Sequence, residues 1–432
     1  MKRIVFALLL TLIFGCVLVY KYIPLRSALF LRLPEPNYFN REIDRYKKES
    51  FGAPIQAGFF KIDITPPRFS WLAGYYPPHP GVFIHDRLWV KSLALRDAKG
   101  NTAVIVSCDL IGILPDEVNK IKSLVKNIPA DKIFISATHT HSGPDTMGLW
   151  GIPPFSGKNE KYIRNLRVAI AYMIDQSVMN LEKAKIRFAQ GELLDHNEGR
   201  EKNPPDTSIS AMQILLNSGE LVTLVNFAVH PDEVKSLSVS ADFPYYLDER
   251  LKMLVGGETM FFPGAIGGVQ PPGDNNTDSY FVRSLGEDLA DRAWILLRDY
   301  WEAPEKIDIS FKKITVKAPL ENKKFLWAAR LGLISDLRNS DGEVSTEINL
   351  IKIGPANIIT VPGELFPKIW KRARMKMKGR LKFIFGLTNG ELGYILLPED
   401  FYSGKHNYHA GMSVGAKFGE EIDKALQKLV TE

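Results

Sequence analysis

The sequence predicts an α/β fold in which mixed β-sheets are flanked by helices, within one large domain that spans residues 55–432. Short apolar runs of strand length alternate there with longer amphipathic segments of helical periodicity. No internal repeat, low-complexity stretch or clean linker divides residues 55–432. Hydrophobic residues make up 45% of the chain and charged residues 24%, which is the composition of a globular protein with a sizeable core.

The N-terminal segment is predicted to attach the chain to a membrane. Lys2 and Arg3 precede the uncharged run 4–20, which is just long enough to span a bilayer. No small-x-small cleavage motif follows, so residues 1–22 are expected to form an uncleaved signal anchor and residues 23–54 a tether. The membrane is then a partner through this helix, and the domain lies outside the cytoplasm, on the periplasmic or extracellular side. The alternative is a buried N-terminal helix.

The predicted strands are short apolar runs bounded by turn residues. In chain order they cover residues 57–66, 85–96, 103–107, 210–216, 221–229, 260–262, 307–316, 347–353, 358–361, 383–387 and 393–396, together with a run that begins at Ile133. Helical periodicity covers residues 117–126, 159–183, 279–300, 326–337 and 414–430. A further helix is expected after Asp242, a plausible N-terminal cap, and another after Glu364.

Several predicted strands end at polar residues that could form a site. His139 and His141 follow the run that begins at Ile133, His230 follows residues 221–229, and Glu364 follows residues 358–361. In α/β sheets a ligand site lies where such strand ends converge. In an extended chain the two histidines of the first motif would point to the same side. Two histidines and a glutamate would supply three protein ligands of a catalytic zinc site; ordinary capping and turn residues are the alternative.

Two further motifs lie near these strand ends. Asp109 follows residues 103–107, and it either orients a histidine through the second ring nitrogen or caps the next turn. The glycine loop at residues 264–273 could present backbone N–H groups to an anion. That loop has neither a Walker lysine nor the dinucleotide glycine spacing, so nucleotide binding is only weakly indicated.

Charge and cysteine content exclude other classes. The net charge of +6 is mild, and the sequence contains no recognised nucleic-acid-binding module. The two cysteines, Cys16 and Cys108, are too few for a disulfide framework or a cysteine-based metal site. No obligate protein partner is evident, and a small-molecule or lipid substrate is expected instead.

A series of motifs makes the prediction specific. In chain order they are DITP at 63–66, HDR at 85–87, SCDL at 107–110, ATHTHSGP at 137–144, NFAVH at 226–230, VPGEL at 361–365 and NGELGY at 389–394. This order resembles the catalytic domain of the neutral/alkaline (non-lysosomal) ceramidase family. The ATHTHSGP and VPGEL segments are its most specific parts.

The resemblance implies a zinc-dependent amide hydrolase. It places Zn²⁺ on His139, His230, Glu364 and Tyr394, and makes His141 a group that stabilises an oxyanion beside the metal. Tyr408 is similar to a further active-site tyrosine of the family. The implied reaction is hydrolysis of the amide bond of an N-acyl sphingoid, ceramide-like lipid, with zinc-activated water as the attacking group.

One loop departs from the family pattern. The family's glycine loop reads GDVSPN, whereas Gly268 stands here at the aspartate position and Gln270 at the serine position. A glutamine can donate a hydrogen bond to an oxyanion, but it cannot act as a nucleophile. Two alternatives therefore stay open: a non-catalytic descendant that acts as an envelope binding protein, or a zinc hydrolase of a non-lipid ester or amide.

Overall fold

The fold is built on two stacked β-sheets. Apolar side chains of their strands form a core between the sheets and further cores under the helices. The structure, a computed structural model, describes residues 53–431 except residues 68, 153, 273–278 and 303. The strands are β1 (Ala53–Asp63), β2 (Ser70–Leu72), β3 (His79–Gly81), β4 (Phe83–Ile84), β5 (Trp89–Arg96), β6 (Thr102–Cys108), β7 (Ile133–Ala137), β8 (Glu182–Glu192), β9 (Glu198–Gly199), β10 (Ser208–Leu216), β11 (Leu221–Phe227), β12 (Ser238–Val239), β13 (Glu258–Pro263), β14 (Val269–Gln270), β15 (Ile309–Pro319), β16 (Glu343–Ile353), β17 (Ala356–Thr360), β18 (Glu364–Leu365), β19 (Leu381–Phe385) and β20 (Tyr394–Ile395).

The helices lie between these strands and after the last of them. They are α1 (Pro115–Leu124), α2 (Glu160–Met179), α3 (Phe243–Val255), α4 (Ser279–Asp299), α5 (Lys323–Arg330), α6 (Pro367–Lys376), α7 (Pro398–Phe401), α8 (Asn407–Gly411) and α9 (Ala416–Thr431), with short 3₁₀ turns at Ala130–Lys132 and Arg200–Lys202. The described residues belong to one compact unit. The mixed α/β architecture with helices flanking the sheets is therefore confirmed.

The larger sheet has eight strands in the order β13-β11-β10-β8-β1-β5-β6-β7. Its two outer pairs, β11 with β13 and β6 with β7, are parallel, and the inner pairs are antiparallel. The smaller sheet has the order β15-β16-β17-β19, with β17 and β19 parallel. Parallel pairs bring equivalent strand ends to one edge, so the loops that leave β17 and β19 lie at the same edge of the smaller sheet.

Two apolar layers on each sheet give a helix–sheet–sheet–helix arrangement. In the larger sheet, Leu93 and Ile105 face the smaller sheet, whereas Val90 and Val104 face a second core that includes residues of α2. The two sheets meet at stacked aromatic rings, such as those of Phe262 and Phe385, whose centroids are 4.2 Å apart. Helices α6 and α9 cover the other face of the smaller sheet. Central strands such as β5 and β6 therefore alternate between two cores, which explains their near-continuous apolar sequences.

Two buried asparagines hold the sheets together beside the loops that leave them. Asn226 in β11 donates from Nδ2 to the carbonyl oxygens of Phe262 (2.9 Å) and Ile384 (2.8 Å), and its Oδ1 accepts from the Ile384 amide (3.2 Å). Asn389, after β19, accepts at Oδ1 from the amide of Ile135 in β7 (3.0 Å). The ends of β7, β11 and β19 are thereby fixed relative to one another.

One long strand, β8, is not predicted from the sequence. The helical periodicity predicts a helix up to residue 183, but α2 ends at Met179 and strand β8 begins at Glu182. Ala184, Ile186 and Phe188 alternate in the core along β8, with charged residues between them. The alternation was present in the sequence, and the charged residues hid it. The predicted cap of α3 is confirmed, because the Asp242 carboxylate accepts the Phe243 amide at 2.7 Å.

The predicted membrane anchor (1–22) and most of the predicted tether (23–54) lie outside the described residues. Among the residues that the structure does describe, no helix is both long enough and apolar enough to cross a membrane.

Candidate metal centre

His139 reaches the site from a turn that follows β7. Its φ is +72°, a left-handed conformation that is uncommon outside glycine. Its amide donates to the Leu110 carbonyl (2.9 Å), and its ring Nδ1 lies 2.6 Å from the Ile111 carbonyl oxygen. Because a carbonyl oxygen only accepts, Nδ1 carries the proton and Nε2 keeps the lone pair that a metal requires. The expectation that His139 and His141 share one face of an extended strand is wrong, since this turn sets their directions.

His141 and His230 complete a cluster of three histidines. Their ring centroids each lie 5.0 Å from that of His139 and 6.0 Å from one another, and one ligand nitrogen from each ring lies within 4.8 Å of the others. The amide of His141 donates to the Pro231 carbonyl (3.0 Å), which ties the two histidine loops together. Nε2 of His141 and Nδ1 of His230 are buried and have no hydrogen-bond partner among the described residues. A bound ion, or a ligand that accepts a hydrogen bond, would satisfy such orphaned nitrogens.

Glu364 adds a carboxylate to the cluster. Its Oε2 lies 2.9 Å from Nε2 of His230, and its Oε1 lies 3.7 Å from Nε2 of His139. Burial opposes the charge on this carboxyl group, but the neighbouring imidazoles of His139 and His230 hold its pKa below the ordinary value. Imidazole nitrogens and a carboxylate oxygen thus meet at this cluster, and these are usual protein donors to a zinc-type ion.

Tyr394 lies beside Glu364 because their strands pair. In the parallel pair β18–β20, Glu364 is in register with Tyr394. Burial raises the pKa of the Tyr394 hydroxyl well above its ordinary value, and the nearby carboxylate of Glu364 and Tyr408 raise it further. Tyr394 is therefore a neutral phenol near the cluster. Tyr408 is more exposed, with its ring centroid 6.0 Å from that of Tyr394. The structure thus brings together His139, His141, His230, Glu364, Tyr394 and Tyr408.

The position of His141 depends on a glycine that sequence reasoning missed. Gly74 has a φ of +86°, and a Cβ placed on it would lie 2.1 Å from Nδ1 of His141. Burial lowers the pKa of His141 well below its ordinary value, and the neighbouring His139 and His230 lower it further. The imidazole is therefore neutral at neutral pH. The available signal was Gly74 itself, beside a proline-rich loop.

The substitution Gly74→Ala is expected to lower metal occupancy or turnover about tenfold or more, because the new methyl group would displace His141. Gly100→Ala is the matched control: its φ is +89°, and nothing lies within 4 Å of its added Cβ. Both variants carry a backbone strain of about 1 kcal/mol, and only the first reaches the site. Metal content and thermal unfolding of both variants would be measured; equal metal content and turnover in the two would contradict the role of Gly74.

A short strand pair places Gln270 against Arg200 and Glu198. Strand β14 pairs with β9, and the Gln270 side chain accepts from Nε of Arg200 (2.7 Å) and donates to Glu198 (2.7 Å). Arg200 also lies 3.4 Å from Asp232. Only one N–H of the Gln270 amide is left for a further partner. A catalytic role for Gln270 stays a prediction.

Asp109 does not orient a histidine of the cluster. Its carboxylate accepts the Trp89 amide at 2.8 Å, and it lines a separate polar pocket with residues such as Lys91 and Asp248. The partner of the His139 ring is the Ile111 carbonyl instead. Burial raises the pKa of Asp109 to about 7.

An apolar cleft adjoins the cluster, and the sequence did not predict it. Polar residues of the site line one part of the cleft, including His139, His141, Glu364 and Tyr394. Apolar side chains from several distant segments line the rest: Ile111, Leu114, Met147, Leu149, Trp150, Phe325, Ile334, Leu337, Leu392 and Met412. Such a cleft is typical of a site for a ligand with an apolar chain.

A second group of possible metal ligands was also missed. One ligand atom from each of Glu201, His406 and His409 lies within 4.8 Å of the others. Burial lowers the pKa of His409 to about 4, so its imidazole is neutral at neutral pH. The spacing of the two histidines, three residues apart, was the available signal.

The curated proteins that the chain resembles in sequence include neutral ceramidases of two organisms. No family model matches the chain. It is 27% identical over 201 residues to a neutral ceramidase of Pseudomonas aeruginosa, a region that covers 41% of this chain and 30% of the relative. It is 28% identical over 247 residues to neutral ceramidase B of Dictyostelium discoideum, covering 49% of this chain and 34% of the relative. The matches thus span about a third of the length of these curated relatives.

Solved structures show the same likeness in fold. The crystal structure of neutral ceramidase from Pseudomonas aeruginosa aligns with a TM-score of 0.70 and 19% identity, covering 88% of this chain and 74% of that one. A ceramidase in complex with C2 gives the same TM-score at 17% identity. The α/β fold is therefore similar to that of the solved ceramidases, and it holds a buried cluster of histidines and a glutamate. The chain thus resembles neutral ceramidases in sequence and in fold, at only 27–29% identity to the curated relatives.

Proposed function

We propose that the protein is a zinc-dependent hydrolase that cleaves the amide bond of an N-acyl lipid of the ceramide-like class. The observation that carries the proposal is the cluster of His139, His141, His230 and Glu364 at one side of an apolar cleft. The likeness to proteins named neutral ceramidases supports the same reaction class.

The proposed zinc ligands are His139, His230, Glu364 and Tyr394. When bound, zinc would activate a water molecule and polarise the substrate carbonyl. The Ile111 carbonyl accepts a hydrogen bond from Nδ1 of His139. Nε2 of the same ring is then available to the ion. Tyr394, whose raised pKa keeps its proton in the absence of an ion, would have to release or share that proton on binding.

The proposed oxyanion contacts are His141 and Tyr408. His141 is neutral, and its Nε2 is unpaired among the described residues, so an N–H at that atom could donate to the substrate oxygen. The Tyr408 hydroxyl is a neutral donor at the more exposed side of Tyr394. Gln270 could add its one remaining N–H.

The cleft supports a lipid-like substrate. Its apolar side chains, such as Trp150, Phe325 and Ile334, would bury an acyl chain or a long-chain base, and each buried methylene contributes about 0.8 kcal/mol. Attachment to a membrane from outside the cytoplasm, through residues 1–22, is part of the proposal because it would bring the cleft near such lipids.

The test is a hydrolase screen with the full-length chain. Long-chain and short-chain N-acyl sphingoid bases, a simple N-acyl amide and a matched ester would be incubated with and without a chelator, and released fatty acid measured. Turnover that the chelator abolishes, that added zinc restores and that rises with acyl length is expected.

Two other outcomes would contradict the proposal in different ways. Turnover that ignores acyl length would favour a hydrolase of non-lipid esters or amides. No turnover on any substrate, with metal bound, would favour a non-catalytic binding protein, which the unusual residues Gly268 and Gln270 suggested.

A further inference from the structure

We propose that Glu201, His406 and His409 form a second site for a zinc-type divalent ion, distinct from the three-histidine cluster. The three residues come from two separate segments, the 3₁₀ turn Arg200–Lys202 and the start of α8. One ligand atom of each lies within 4.8 Å of the others. The inference about this second site does not depend on the proposed function, and only the total of two ions expected below rests on it.

The strongest observation is the unpaired state of a deeply buried ring. His409 is 2% exposed, and neither of its ring nitrogens has a hydrogen-bond partner among the described residues. His406 is 4% exposed, and its Nδ1 faces the carboxylate of Glu201. A neutral imidazole must offer one donor and one acceptor, and leaving both unmet in the interior is costly. A bound ion would satisfy one ring nitrogen of His409. Glu201 and His406, which now contact each other, would then both coordinate the same ion.

The chain around Glu201 is held in place by the loop that contains Gly268 and Gln270. The Arg200 amide donates to the Gly268 carbonyl (2.7 Å), and the Arg200 guanidinium donates to the Gln270 side chain. Glu201 itself has φ +56° and ψ +32°, a left-handed conformation that is unfavourable in a non-glycine residue. These contacts keep its carboxylate against His406.

Gly268 leaves space beside the second histidine. A Cβ at this position would lie 3.7 Å from Nε2 of His409 and 3.3 Å from the Phe366 ring. A larger side chain here would therefore extend toward the same ring nitrogen that is unpaired. Gly268, which stands at the aspartate position of the ceramidase-family loop, thus borders the second cluster.

The donor set favours zinc and similar ions over calcium or magnesium. Two imidazoles and one carboxylate give three protein ligands and an open fourth position. The ring of Phe366 lies 5.2 Å from that of His406 and 5.4 Å from that of His409, and Tyr394 lies 4.7 Å from His409. An ion bound here would lie close to the Tyr394 ring. It would also hold α8, the helix that contains Tyr408, in place.

The experiment measures metal stoichiometry on the full-length chain. The chain, stripped by a chelator, would be dialysed against Zn²⁺, and bound metal counted; Co²⁺ would then report each site by its absorption spectrum. The unaltered chain is expected to bind two ions. His409→Ala and the volume-conserving Glu201→Gln should each lose one ion, or weaken its binding about tenfold or more. His196→Ala, which alters a histidine paired with Asp288, is the matched control.

The two sites are separated by their variants. The double variant His139→Ala/His230→Ala should lose the other ion and keep the one on His409. If Glu201→Gln, folded as judged by circular dichroism, binds the same number of ions with the same affinity and Co²⁺ spectrum as His196→Ala, the second site is refuted. One ion in the unaltered chain, lost only with the double variant, would refute it as well.

Discussion

Replacing both His139 and His230 by alanine is expected to remove one bound ion per chain and to lower amide hydrolysis about a thousandfold or more. Both imidazoles lie in the buried cluster, and Glu364 contacts both rings. Loss of both leaves that carboxylate without the neighbours that lower its pKa and leaves the ion with too few donors. A metal contributes several kcal/mol to transition-state stabilisation, and each 1.36 kcal/mol is a factor of ten.

Three measurements would check this result: metal content, turnover and thermal unfolding. His141→Ala tests the assignment of roles, since it should keep the ion and lose turnover if His141 acts on the substrate. His196→Ala should behave as the unaltered chain. A double variant that retains its full metal content would disprove the ligand assignment, and retained turnover without the ion would disprove the metal-dependent reaction.

Asn226→Ala is expected to lower the free energy of unfolding by about 3 kcal/mol or more. The substitution removes the three hydrogen bonds that Asn226 in β11 makes to β13 and β19, and takes the side-chain partner from the buried amide and carbonyl of Ile384. An orphaned buried polar group costs about 1–3 kcal/mol. Asn217→Ala, at an exposed turn, should change stability by less than about 0.5 kcal/mol.

Denaturant unfolding of both variants, followed by circular dichroism, would measure the difference. A similar shift in the two midpoints would mean that Asn226 does not connect the sheets energetically. Asn226→Asp is a useful third variant, since it keeps the shape of the side chain but replaces its two donors by a buried charge, and it should be at least as destabilising.

The sequence was sufficient to predict strands with clear boundaries. The strand before the first histidine motif was predicted to begin at Ile133 and does so, and the hairpin around residues 217–219 was found as β10 and β11. These elements carry their own turn chemistry and apolar alternation. Strand β8 was missed because its alternation is masked by charged residues and by the helix before it.

The membership of the site was more predictable than its geometry. The strand-end pattern and the family resemblance named His139, His230 and Glu364, which the structure brings together. Nothing local in the sequence indicated the left-handed turn at His139, which depends on the carbonyls of Leu110 and Ile111. Glu201 and His409 were missed for a similar reason: they are far apart in the chain, and only the tertiary fold makes them neighbours.

The asparagine contacts between the sheets have a consequence for how metal and fold depend on each other. His139 follows a strand of the larger sheet, and Glu364 follows a strand of the smaller one, so the donor set exists only when the two sheets are docked. By thermodynamic linkage, an ion that binds this set stabilises the docked chain by RT ln(1 + [ion]/Kd), about 2.7 kcal/mol at a free ion concentration of a hundred times Kd. The supply of metal in the surroundings of the protein would then set its resistance to unfolding as well as its chemistry.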